Sequence, residues 1–151
     1  MQLAHYLGLL HRTECDLAAA FREMASAHAD EADVFYICNR LAHQCDRHAG
    51  ELEPFADRYG EDAPDEPDRL YNELFSGARE GPLGLLRDLH DLYLMCAQAD
   101  MAWTLVGQAA QGARDEALLD VVQGCERETV TQMRWLRTRM KQAAPQTLVV
   151  S

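Results

Sequence analysis

In the stretch "LAHQCDRHAGEL", Cys45 and His48 stand three residues apart and share a stripe with Leu41, Leu52 and Phe55. A helix over these residues aims a thiol and an imidazole into its own core. Two carboxylates are in the same position. Glu14 interrupts the apolar series Leu3, Leu7, Leu10, Leu17, Phe21 and Met24, and Glu126 interrupts Leu119, Val122, Met133, Leu136 and Met140. Burying an ionised carboxylate without partners costs several kcal/mol, so Glu14 and Glu126 require cations, protons or strong hydrogen-bond donors. A metal ion is one such partner, and groups three apart on a helix chelate from one face. The candidate metal ligands are therefore Glu14, Cys45, His48 and Glu126, with Cys96, Asp100, Thr129 and His11 flanking them. The alternative is a metal-free layer in which Glu14 bonds His48, and Glu126 is protonated or bonds Thr129 or a buried water.

Positioning these groups is the task of four segments whose apolar residues recur every three or four positions, the mark of a helix with one buried face. The first runs from Leu3 to Met24 and the second from Val34 through Cys38, Cys45 and His48 to Tyr59. The third follows "GPLG" and runs Leu85, Leu89, Leu92, Cys96, Ala99, Trp103, Val106 and Ala110. The fourth runs Leu119, Val122, Glu126, Thr129, Met133, Leu136 and Met140. No strand alternation or hairpin dipeptide is present, so the class is all-α. Short connections around "SAHADEAD" and "QGARDE" predict two antiparallel hairpins. Between them lies a long Gly-, Pro- and acid-rich crossover in which "PDRLYNELF" predicts a short helix, with Pro67 near its start and Gly77 after its end.

Residue counts place the polar groups at one height. At about 1.5 Å per residue, Glu14 is about 16 residues before a turn near residue 30, and Cys45 and His48 about 15 to 18 after it. Cys96 is likewise about 17 residues before a turn near residue 113, and Glu126 and Thr129 about 13 to 16 after it. Side-by-side hairpins bring all of them into one central layer. Cys15, Cys38 and Cys125 read as packing residues, as does Trp103.

Composition excludes several classes. A chain of 151 residues that is 48% hydrophobic supports one domain, here a bundle over 1–142 with an extended or disordered tail over 143–151. A net charge of -11 argues against nucleic acid, which requires a basic footprint. No segment approaches the roughly 20 apolar residues of a membrane span. Five cysteines make no disulfide framework, and the first residues lack a signal-peptide pattern, so the expectation is a soluble cytoplasmic protein with reduced thiols. A homodimer is the expected assembly, with another protein as the further candidate partner.

Hairpins, crossover and polar layer together make residues 3–142 resemble the ferritin-like superfamily, which includes ferritins and rubrerythrins. That family places a Glu on each of two helices and a Glu-x-x-His on each of the other two, around two irons. Glu14 matches the first Glu, His48 the second helix's His and Glu126 the fourth helix's Glu. Cys45, Cys96 and Thr129 stand where the family has Glu, Glu and His, with Asp100 the nearest carboxylate to Cys96. The resemblance implies one or two metal ions, and the thiols shift preference from iron toward zinc. The implied activity is metal-dependent oxidation or peroxide handling. A non-catalytic bundle with a relic site, used for dimerisation or partner binding, is the alternative, and thiol redox sensing through Cys45 and Cys96 is a third.

Overall fold

The computed structural model describes residues 2–61, 65 and 70–150. Four helices carry the chain: α1 (Leu3–Ala27), α2 (Ala32–Gly60), α3 (Gly81–Gly112) and α4 (Glu116–Leu148). No strand occurs among the described residues. The all-α class and the four long segments agree with the apolar periodicity.

The helix ends follow from local chemistry. Arg114 takes a left-handed backbone with φ of 54° and ends α3. Asp115 then caps α4, its carboxylate accepting the Leu118 N–H at 3.0 Å. At that same end of the molecule, the last turn of α2 contributes Tyr59, whose hydroxyl donates to Asp115 at 2.7 Å. At the opposite end, Arg139 of α4 reaches Asp33 and Glu31 at the start of α2. His28, just beyond α1, meets Asp88 near the start of α3 at 2.9 Å. These contacts fix the directions: α1 and α4 run one way, α2 and α3 the other. α1 packs chiefly on α2 and α3 on α4, with α1 also against α3 and α2 lightly against α4.

The core fills the space between the four helices. Leu7, Leu10, Leu17 and Phe21 of α1 are fully buried with Val34, Cys38 and Leu52 of α2, Leu89, Leu92 and Trp103 of α3, and Leu118 and Leu136 of α4. Burial of this kind contributes about 25 cal/mol per Å² of apolar surface and is what holds helices of marginal intrinsic stability.

Two expectations about the connections are corrected. Residues 70–80 carry no helix, whereas the sequence predicts one in "PDRLYNELF"; Pro67 lies outside the described residues. The physical reason is tertiary. The Tyr71 hydroxyl donates to Asp16, and the Arg12 guanidinium sits 3.6 Å over the Tyr71 ring. Phe75 is buried, the Ala78 N–H donates to Glu23 at 2.9 Å, and the Arg79 N–H donates to Asp88 at 2.8 Å. Side chains of α1 and α3 thus take donors and aromatic anchors that a short helix would have kept for itself, and an isolated helix of that length is marginal. Second, α4 continues through Pro145 to Leu148, where the sequence reading starts an extended tail at 143. Ala143 is buried on the bundle, which extends the packed face of α4 past the expected boundary.

Candidate functional site

Midway along α1, Glu14 is buried between two turns of leucine, and its partners come from the other helices. Its Oε1 accepts the indole N–H of Trp103 on α3 at 2.9 Å. Its Oε2 lies 3.3 Å from Nδ1 of His48 on α2. The other nitrogen of that ring, Nε2, lies 3.1 Å from Oε1 of Glu128 on α4. Arg47, next to His48 on α2, closes the row by donating to the same Glu128 oxygen. The His48 ring also stands edge-on to Trp103, with centroids 5.9 Å apart. Every helix therefore contributes to one continuous chain of hydrogen bonds, α2 with two members, Arg47 and His48.

Carboxylates accept and do not donate, so His48 satisfies both neighbours only as an imidazolium that donates from both nitrogens. Burial acts to lower its pKa, but the hydrogen bonds and charges of Glu14 and then Glu128 outweigh it and raise the ring above its ordinary value. Burial likewise acts to raise Glu128, and the bonds from Arg47 and His48 more than reverse it, holding that carboxyl below the usual range.

Beside this row lies a softer group. Gln132 of α4 turns its carbonyl oxygen to the thiols of Cys45 at 3.9 Å and Cys96 at 3.8 Å, while its amide N–H donates to Gln44 at 3.1 Å. Burial, and then the charge of Glu14, push both thiols well above their ordinary value. That shift favours the neutral thiol over the thiolate in this layer.

Of the expected ligands, Glu14, Cys45, His48, Cys96 and Thr129 do share the central layer, all buried. Thr129 faces its own helix, its hydroxyl donating to the Cys125 carbonyl at 2.9 Å. Glu126 is corrected: it is half-buried at the edge of α4 and accepts from Thr104 at 2.9 Å, away from Glu14. The buried stripe of α4 is Leu118, Val122, Cys125, Thr129, Gln132 and Leu136, one position round from the stripe through Leu119, Glu126 and Met133. Asp100 is half-buried, and burial together with the charge of Glu126 raises its pKa. His11 is half-buried, its Nε2 3.4 Å from Glu53 of α2. Cys15 is exposed, in contrast to its reading as a packing residue, while Cys38 and Cys125 are buried. Sequence reasoning missed Glu128 and Gln132, and it took Trp103 for packing alone.

The donor set bears directly on a metal. Among the described residues, no group of three or more His, Cys, Asp or Glu side chains is placed to hold a metal ion. Ligation by His48 would require one ring nitrogen to give up its carboxylate and its proton, and ligation by Cys45 or Cys96 would require a thiol to ionise. The zinc or iron that the sequence invites thus does not fit the hydrogen-bonded arrangement.

A second buried polar cluster sits at the upper end. Asp88, fully buried on α3, faces His28 and accepts both from the Arg79 backbone and from its guanidinium at 2.7 Å. Arg79 also reaches Asp91 at 2.9 Å. Gly84 makes the crossing possible, because a Cβ there would stand 2.9 Å from the Cβ of Arg79. The chain matches no family model, no curated protein and no solved structure.

Proposed function

We propose that this chain is a non-catalytic helical scaffold of ferritin-like topology, whose polar layer is a relic site closed on itself and whose work is done by its surface, in dimerisation or partner binding. The observation that carries this reading is that His48 commits both ring nitrogens to carboxylates, Glu14 on one side and Glu128 on the other. A metal ligand needs a free ring lone pair, and an imidazolium has none. The up-down-down-up order of the helices, with two hairpins and a connection that rises along α1, supports the ferritin-like part of the reading.

Metal-dependent oxidation or peroxide handling is the competing outcome, and metal content separates the two. The test is metal per chain by mass spectrometry, on protein purified without a metal-affinity tag, before and after anaerobic loading with Fe(II) or Zn(II). The scaffold reading expects no stoichiometric metal in either case. Near-stoichiometric metal that disappears in His48→Ala would contradict it and turn the search to redox chemistry. Thiol sensing through Cys45 and Cys96 is the reading the layer favours least, since burial keeps both thiols protonated.

A further inference from the structure

The thiols of this fold divide unequally. Cys38, Cys45, Cys96 and Cys125 are buried, and Cys15 is exposed. Cys15 also has chemistry beside it. His11 stands one turn earlier on α1, and its Nδ1 lies 4.0 Å from the Cys15 Sγ. The other nitrogen of that ring, Nε2, lies 3.4 Å from Oε1 of Glu53 on α2, an ion-pair distance rather than an aligned hydrogen bond. Thiol, imidazole and carboxylate thus follow one another in the order of a nucleophile, a base and the group that orients the base.

Helix geometry builds this row on the outer seam between α1 and α2. Residues four apart share a face, so His11 and Cys15 look out along the same side of α1. The His11–Glu53 and Arg22–Asp46 pairs set the antiparallel register of the two helices, and in that register Gly50 falls opposite Cys15. A Cβ at Gly50 would meet nothing within 4 Å, so this turn of α2 leaves the thiol open to solvent.

We propose that Cys15 is a site of thiol–disulfide exchange with small disulfides, and that His11 is its general base. Glu53 acts through the ring. A carboxylate only accepts, so it favours the tautomer with the proton on Nε2 and leaves the Nδ1 lone pair facing Sγ. The thiol proton passes to Nδ1, Sγ attacks one sulfur of the disulfide, the S–S bond breaks, and the departing thiolate takes the proton back from the ring. The products are a mixed disulfide on Cys15 and one small thiol; the incoming disulfide is the oxidant. Burial, and then the charges of Asp16, Asp46, Glu14 and Glu53, hold the Cys15 thiol above its ordinary value, so thiolate is scarce at neutral pH and the base sets the rate. Those carboxylates also select the reagent. Arg22 offsets Asp46 alone, so the remaining field at Sγ repels an anionic disulfide and draws a cationic one. The site shares no member with the central row and does not rest on the scaffold reading.

The test treats the full chain with cystamine, a cation, with oxidised glutathione, an anion, and with the neutral bis(2-hydroxyethyl) disulfide, and locates adducts by mass spectrometry. A single adduct on Cys15, absent in Cys15→Ser, is expected. Normalised to a free cysteine peptide, cystamine should react about 10-fold or more faster than oxidised glutathione at low salt, and the ratio should shrink as salt rises. With the neutral disulfide, His11→Ala should slow the reaction by about 10-fold or more, and imidazole in solution should restore part of the rate. Glu53→Gln should slow it by a smaller factor and have no further effect once His11 is gone, the mark of a residue acting through the ring. Circular dichroism checks that each variant folds, and the reagent comparison needs no variant. No adduct on the folded chain, adducts on the buried cysteines at the same rate, a rate indifferent to His11→Ala, or oxidised glutathione as fast as cystamine at low salt would each overturn the inference.

Discussion

Two buried histidines in this molecule are held by acids, and their surroundings differ. His48 sits at mid-height, fully buried, with partners from α1, α3 and α4 around it. His28 sits at the upper end and meets Asp88, whose other partner, Arg79, comes from the connecting segment and is 43% exposed at its side chain. In the central layer His48 and Glu14 cannot reach water unless the helices part, while Glu128 and Arg47 close the row from the rim. At the upper end the connecting segment can lift away and Arg79 can rehydrate while the bundle stays folded. The same chemistry thus fastens the whole bundle in one place and a single strap in the other.

The strongest way to break this comparison is to remove one acid from each cluster. Glu14→Ala strands the His48 and Trp103 donors in the interior and should cost about 3–5 kcal/mol in urea unfolding. Asp88→Ala should cost less, about 1–3 kcal/mol, because Arg79 can turn to solvent. Its signature is local: faster proteolysis within residues 70–80 with the unfolding transition still cooperative. Equal losses, or proteolysis that quickens equally in both, would show that the two clusters do not differ in kind.

Smaller, and diagnostic of the central row, is the response to pH. His48 binds its proton more tightly in the folded than in the unfolded chain, so its contribution is complete below the ordinary imidazole value of 6.5 and is lost as pH rises through the folded value. Glu128 is shifted the opposite way, so its contribution is present above the ordinary 4.5 and is lost as pH falls through its folded value. The row is at full strength between these two ordinary values. Stability should therefore fall by about 1 kcal/mol as pH rises from about 6 to about 8.5, and His48→Gln should flatten that limb. The range ends below the ordinary thiol value of 9.0, above which the raised thiols of Cys45 and Cys96 add a loss of their own. The smallest effect is Arg47→Ala, where a largely exposed guanidinium is removed from Glu128: under about 1 kcal/mol, and reduced further by salt.

How much of this the sequence discloses depends on periodicity. The four helices, the buried stripes of α1, α2 and α3, and the common height of Glu14, Cys45, His48 and Cys96 all follow from a 3.6-residue repeat and a fixed rise. α4 defeats the same logic. Val122, Thr129 and Leu136 belong equally to a stripe through Leu119, Glu126 and Met133 and to one through Leu118, Cys125 and Gln132. The first is richer in large apolar residues, but Gln132 finds amide and thiol partners in the core while Met133 packs at its edge. Glu128 lies on neither stripe; it reaches His48 from the rim, a contact that only the helix packing brings about. The upper cluster leaves no periodic trace, because Arg79 comes from a segment with no repeat of its own. Its backbone is shaped by Asp16, Glu23 and Asp88, residues distant in sequence from Tyr71 and Ala78.

The central claim is that His48 is an imidazolium with both nitrogens in use. Nitrogen-15 NMR of the imidazole rings at neutral pH, assigned with His48→Gln, tests it directly. The expected result is that both His48 nitrogens carry protons and keep them above pH 6.5, the ordinary value. A His48 ring with one unprotonated nitrogen at neutral pH would contradict it, and would leave open the lone pair that a metal takes.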